Sequence, residues 1–198
     1  MKKGRQKRKI IIIVVACIVA LAAFGVLLYL DYSNSHEVMK LGRYTGLTVT
    51  ASAGKSAEEA IVEEIVNHSR FGRAMDRKIE EKYDEAMKHF TDEAEFYKLS
   101  LSAYLEKYFK TTEKEFRETV RKTAEETARE TAVLLEIAKK ENLVITDEEF
   151  RKKLPEVMES YGYTDEKQFA ADVNFDSLRE EMLQDKVREY LMTKNTAQ

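Results

Sequence analysis

The sequence predicts an all-α body of several amphipathic helices with one short strand near its start, preceded by a single transmembrane helix. Three observations predict it. After Gly72 the remaining 126 residues contain one glycine, Gly162, and one proline, Pro155, too few to build the turns of a sheet. Ser56, Thr112 and Thr146 each stand three residues before a glutamate, the spacing of the reciprocal capping box that starts a helix. Ile10 to Leu30 carries no charge, and 21 residues at about 1.5 Å each cross about 30 Å of hydrocarbon.

The charges divide the chain further. Residues 1–9 hold six of the 33 basic groups, leaving 27 basic against 36 acidic groups in residues 31–198, a net of −9. An acidic body repels phosphate, which excludes a nucleic-acid binder. The basic tip before the apolar run predicts a cytoplasmic N-terminus and an outward-facing body. Residues 1–9 are thus a basic cytoplasmic tip, 10–30 a transmembrane helix, 31–40 a polar tether and 41–198 the helical domain. A retained anchor is favoured because the run exceeds the ~7–15 apolar residues of a signal peptide. Cleavage remains open through the small-x-small pair Ser33 and Ser35. Val14 to Cys17 has the look of a lipobox, but too little apolar chain precedes Cys17, the only cysteine.

Leu47 and Val49 alternate after Gly42 and Gly46, which predicts the short strand. Ser56 opens a first helix with the stripe Ile61, Val62, Ile65 and Val66, ended by Phe71-Gly72. A second helix from about Ala74 places Met75, Ile79, Tyr83, Ala86, Met87 and Phe90 on one face. Asp92–Leu99 and Ser102–Phe109 read as two shorter helices, the latter capped by Ser102. The longest helix runs from Thr112 to about Glu141 with Phe116, Val120, Ala124, Ala128, Leu134, Leu135 and Ala138 inward and a ridge of Thr119, Thr123, Thr127 and Thr131 beside them. From Thr146 the inward set is Phe150, Leu154, Val157, Met158 and Tyr161, and Pro155 should kink or restart the helix. Gly162 is a natural stop. A short helix covers about 164–172, and Asp176 or Ser177 caps the last, with Leu178, Met182, Leu183, Val187 and Leu191 inward.

No catalytic constellation stands out. His36, His68 and His89 are too scattered for a metal site. Adjacent glutamates such as Glu58-Glu59, Glu63-Glu64 and Glu125-Glu126 diverge by about 100° on a helix. Gly42-x-x-x-Gly46 lacks the Lys and Ser/Thr of a phosphate loop. Neither a cofactor nor a metal is expected, and the chain does not read as an enzyme. The aromatic content is different: 17 of the 19 Phe and Tyr residues lie outside 10–30, and with the methionines they suit either small helical cores or an adaptable contact surface.

The order of Tyr104-Leu105, Thr112-Glu113-Lys114-Glu115-Phe116, Val133 to Leu143, Val144-Ile145-Thr146-Asp147-Glu148-Glu149-Phe150, Tyr161-Gly162-Tyr163 and Lys186-Val187 resembles the C-terminal domain of trigger factor. That helical peptide-binding domain is shared in outline with the SurA and PrsA foldases. Upstream, Leu41 to Val49 is similar to the stretch leading into the family's prolyl isomerase. The resemblance covers most of residues 41–198. It implies a peptide-binding framework whose arms flank a crevice, and it implies that Tyr83, Met87, Phe90, Tyr97, Tyr104 and Tyr108 are the exposed, client-contacting residues. The family's isomerase would be inserted near Phe71-Gly72-Arg73, where here helix follows helix, and no β-patterned, turn-rich tract follows. The ribosome-binding domain is replaced by the apolar run, so neither isomerase activity nor ribosome docking is expected.

The resulting expectation is a membrane-anchored, ATP-independent chaperone or foldase-like protein that binds unfolded clients outside the cytoplasmic membrane, in the manner of a Gram-positive PrsA without its catalytic insert. The alternative is a non-chaperone interaction subunit of a membrane or cell-surface complex using the same fold.

Overall fold

The computed structural model describes residues 38–52 and 54–197, so the basic tip, the apolar run and most of the tether lie outside the described residues. Among the described residues no helix is long and apolar enough to cross a membrane. The elements in order are β1 (Met39–Lys40), β2 (Thr48–Val49), α1 (Ala57–His68), β3 (Arg70–Phe71), α2 (Ala74–Phe96), α3 (Leu101–Phe109), α4 (Glu113–Lys140), α5 (Asp147–Ser160), α6 (Glu166–Asp172), α7 (Phe175–Lys194) and β4 (Thr196–Ala197).

The three predicted capping boxes are present. Ser56 with Glu59, Thr112 with Glu115 and Thr146 with Glu149 each exchange both hydrogen bonds. The other starts differ from the sequence reading. Ser100, not Ser102, caps α3 by accepting from the Ala103 amide at 3.2 Å, and Asn174, not Asp176 or Ser177, caps α7. Residues 92–96 do not begin a new helix: α2 runs unbroken for 23 residues, since no Gly or Pro interrupts it. Pro155 sits inside an uninterrupted α5. Only the Arg151 carbonyl would lose an amide partner there, and Arg151 and Pro155 both lie on the exposed face, where water takes the bond.

Among the described residues, four of the seven helices, α2 to α5, end at a left-handed residue. At Gly162 (φ +77) the amides of Gly162 and Tyr163 return to the carbonyls of Glu159 and Met158, the Schellman pattern. Lys98 (φ 57) and Asn142 (φ 55) close α2 and α4 the same way. The turn at Gly162 swings Tyr161 outward, 56% exposed, where the sequence placed it inward. Leu135 is likewise only half-buried; Val133 and Ile137 join the predicted Leu134 and Ala138 on the core face of α4.

One predicted strand becomes four two-residue strands among the described residues. β1 pairs antiparallel with β3 (Met39↔Phe71), so the last residues assigned to the tether are part of the fold. β2 pairs in parallel with β4 (Thr48↔Thr196). Asn195 secures this closure: its side chain accepts from the Leu47 amide at 2.8 Å and donates to the carbonyls of Tyr44 and Leu191. Gly42 packs so tightly that an added Cβ would stand 2.2 Å from the His68 carbonyl oxygen.

Three hydrophobic clusters follow. The body core is almost wholly aliphatic: Ile61 and Ile65 of α1, Val133, Leu134 and Ile137 of α4, Val187 and Leu191 of α7. Arg188 ties those helices together by pairing with Glu58, Glu130 and Asp185. A first arm is built by α2, α3 and the start of α4 around Met87, Ala94, Tyr104, Leu105, Phe116 and Val120. Its two long helices run antiparallel, because Phe71, Glu80, Tyr83 and Phe90 meet Arg129, Arg121, Arg117 and Phe116 respectively. A second arm gathers α5, α6 and the start of α7 around Phe150, Leu154, Met158, Phe169, Leu178 and Met182.

Candidate functional site

The first arm holds the aromatic content that the sequence singled out. The three- and four-residue steps of α2 put its apolar face against α4, and the Schellman turn at Lys98 folds α3 back across the tip. That turn stacks aromatic rings from α2, α3 and α4 into a continuous series. Phe116 meets Phe90 at 4.7 Å between centroids, and Phe90 meets Phe109 at 5.8 Å. Phe109 meets Tyr104 at 5.8 Å, Tyr104 meets Tyr108 at 4.9 Å, and Tyr97 touches both tyrosines. Edge and tilted contacts of this kind add stability beyond the area they bury.

The six residues expected to be exposed do come together, but they divide by burial. Tyr97 and Tyr108 are open, at 48% and 45% exposure. Tyr83 and Phe90 are half-buried. The Tyr83 hydroxyl accepts from Arg117 at 3.3 Å, and the Arg121 guanidinium lies 5.0 Å from its ring. Met87 and Tyr104 are core instead, 7% and 4% exposed. They face inward because both lie on the stripe shared with Ala94 and Leu105. Burial, with the hydrogen bond the hydroxyl donates to Glu93, pushes the Tyr104 pKa up to about 12. Sequence reasoning missed Phe96, 79% exposed, and Phe109, 48% exposed. The signal was present for Phe96: one unbroken helix continues its buried stripe at Ala94, which leaves Phe96 off the stripe and outside.

The remaining candidates supply no reactive grouping. The paired glutamates are taken up separately: Glu58 pairs with Arg188, Glu63 with Lys55, Glu125 with Arg129 and Glu126 with Lys122, while Glu64 lies 3.5 Å from the His68 ring nitrogen and Glu59 closes the capping box with Ser56. His89 lies against Phe90, and His36 and Cys17 fall outside the described residues. No group of His, Cys, Asp and Glu among the described residues is placed to hold a metal. An open groove of about 580 Å³ runs between α1 and α4, floored by Val62 and Val66 and walled by those ion pairs. None of the four ridge threonines lines it; Thr119, Thr123 and Thr127 face solvent.

What the first arm can do is make contact. Its aromatic rim offers apolar area and, at Tyr97 and Tyr108, rings with one wet edge. Only Gly72 and Arg73 separate β3 from α2, so the arm springs directly from the point at which the resemblance would place an isomerase.

Comparison with known proteins points the same way. A solved structure of domains of trigger factor from Thermotoga maritima superposes with a TM-score of 0.52 at 18% identity, covering 77% of this chain and 93% of that one. At that identity the likeness speaks for the fold. No curated protein sequence matches the chain. The family model for the C-terminus of bacterial trigger factor matches residues 50–193, which takes in α1 to α6 and nearly all of α7, and the chain therefore belongs to the trigger factor C-terminus family.

Proposed function

We propose that the chain is an ATP-independent chaperone that holds unfolded polypeptide segments, anchored by residues 10–30 with its body outside the cytoplasmic membrane. The observation that carries the reading is the run of open aromatic rings on the first arm of a trigger factor C-terminal fold. Client apolar side chains would be covered against Tyr83, Phe90, Tyr97 and Tyr108, each contact contributing by the area it removes from water. Met87 and Tyr104 hold those rings in place from beneath. The anchor and orientation are supported by the uncharged run and by the six basic residues before it. The same reading leaves out prolyl isomerisation and ribosome docking.

The test is suppression of aggregation for a panel of unfolded clients, with Tyr97→Ser and Tyr108→Ser combined. The double variant should stay fully helical and hold clients several-fold less well. A variant that folds and holds clients normally places the contact elsewhere, and a protein that ignores most of the panel is a dedicated interaction subunit. Protease added to intact spheroplasts should degrade the body; full protection reverses the orientation.

A further inference from the structure

We propose that the free edge of β2 takes up an extended segment of an unfolded client as a third strand, held by its main chain and favoured by cationic side chains facing α1. The inference rests on the client-holding reading only for naming a client as the occupant.

The register of β2 and β4 decides which way each backbone group points. Thr48 stands opposite Thr196, and the Leu47 carbonyl accepts from the Thr196 amide at 2.9 Å. Successive residues of a strand turn their main-chain groups to opposite sides. Leu47 and Val49 therefore face β4, and Thr48 turns both its N–H and its C=O away. Burial alternates from Leu47 to Thr50, buried, exposed, buried, exposed, so the extended edge runs on to Thr50. On that side neither threonine has a hydrogen-bond partner among the described residues.

Room for a third strand lies on the same side. α1 packs against both β2 and β4, and beyond β2 a strip of α1 is left uncovered. There an open groove of about 230 Å³ runs between Thr48, Val49 and Thr50 on the strand and Ala60, Glu63, Glu64 and Asn67 on the helix. Those helix positions recur at three- and four-residue steps and so form one strip, over which an added strand would lie. The other small sheet differs. Its bonded pair, Val38 with Gly72, turns the groups of Met39 and Phe71 outward, but both residues are half-buried against the body core.

The chemistry of the groove chooses its occupant. Unpaired N–H and C=O groups are what an unfolded chain brings and a folded one has already used. Adding such a segment to a sheet edge lets the main chain supply affinity whatever the side chains. Both charged residues lining the groove are carboxylates, Glu63 and Glu64. Lys55 meets Glu63 from outside the groove, and Glu64 lies 3.5 Å from the His68 ring nitrogen. A second copy of this chain, paired edge to edge, would bring two more carboxylates and no cation to the seam. A client segment with lysine or arginine on its inner face answers them. The first arm offers rings to apolar side chains; the β2 edge holds the polar, extended stretches that rings cannot.

The probe is a short fluorescein-labelled peptide of alternating lysine and threonine, which gives the arm nothing apolar to hold. A copy N-methylated throughout keeps the charge and loses every N–H. Anisotropy with the full-length protein in neutral detergent should show saturable binding of the first peptide and several-fold weaker binding of the second. Thr48→Pro removes an amide that β4 does not use, the placement at which an edge strand tolerates proline. It should weaken the first peptide several-fold, while Thr48→Val, which keeps the amide, binds as the parent does. Absence of binding, or equal binding of the two peptides, overturns the proposal, since charge alone is then at work. If Thr48→Pro does not fold, that comparison of peptides on the parent decides. Loss of the peptide in the Tyr97→Ser, Tyr108→Ser double variant also overturns it, by moving the peptide to the arm. So does self-association of the parent that Thr48→Pro abolishes in sedimentation, because the occupant is then a second copy. A parent that binds the peptide through this edge yet suppresses no aggregation keeps the strand site and ends the chaperone reading.

Discussion

The body and the first arm are built by the same helix, α4, and differ in almost everything else. Where α4 enters the body, Val133, Leu134 and Ile137 are sealed at 0% exposure among branched aliphatics. Where it enters the arm, Phe116 and Val120 are 9% and 8% exposed and sit under rings that run out to the surface. Branched aliphatics interlock to high density, and the body adds bonds between elements distant in sequence: Arg188 with Glu58 and Glu130, and Glu141 accepting from Tyr44 at 2.5 Å and Tyr190 at 2.7 Å. The arm relies on larger, flatter side chains whose outer edges lack a protein neighbour. The difference separates what keeps the chain folded from what is left to touch something else.

The largest expected effect tests that division directly. Leu134→Ala should cost about 2–5 kcal/mol and lower the melting temperature by about 4–20 °C at this chain length. Phe96→Ser should leave melting within about 0.5 kcal/mol of the parent. Equal losses measured by calorimetry would mean the arm tip is as structural as the body core.

Gly42→Ala comes next. The added methyl meets the His68 backbone at 2.2 Å, and backbone cannot move aside as a side chain can. Such overpacking costs about 1–3 kcal/mol. Because the clash lies beside the β1–β3 pairing, amide exchange should speed at Met39 to Phe71 before it speeds in the arm.

Much of this was legible in the sequence, and for physical reasons. Capping boxes and 3.6-residue stripes are local, so Ser56, Thr112, Thr146 and the stripes of α1, α2 and α4 could be read without the fold. The two-residue strands could not: Thr196 pairs with Thr48 only after the helices between them have packed. Lys98 and Asn142 as helix stops were also hidden, since neither is glycine and only the Schellman bonds reveal them. The candidate site was half legible. Composition located the arm, but the exposed set followed the resemblance and not the helical stripe, which puts Met87 and Tyr104 inside, and splitting α2 at Asp92 hid the register that leaves Phe96 outside.

Acid should act on the body and its joints before the arm. Glu149, at the joint of body and second arm, is drawn down to about 2, chiefly by Lys186 and then by Thr146. Glu141 is lowered by the Tyr44 and Tyr190 hydroxyls. A carboxyl whose folded pKa lies below its ordinary value of about 4.3 contributes stability that is complete above that value. The contribution is lost as pH falls through the window down to the folded value. For Glu149 that window is from about 4.3 to about 2. Glu115 in the arm is lowered too, but by Thr112 of its own cap, so its protonation loosens one helix start rather than a seam. Melting curves between pH 7 and pH 2.5 should show the acid limb flattened in both Glu149→Gln and Glu115→Gln, and more in Glu149→Gln.

The smallest effect on stability is the most informative about the tip. Lys98 and Gly162 occupy the same position in two Schellman turns, with φ 57 and 77, so the two residues can be exchanged in thought. Gly162→Lys should destabilise by about 1 kcal/mol, because a side chain then enters the left-handed region. Lys98→Gly relieves that strain but frees the unfolded backbone, and the two changes nearly offset, leaving stability unchanged or raised by up to about 1 kcal/mol. If Lys98→Gly keeps the melting temperature and weakens the holding of unfolded clients, its role lies in contact. If it melts several degrees lower instead, Lys98 supports the turn, and the arm's tip is as much a product of folding demands as the body it was set against.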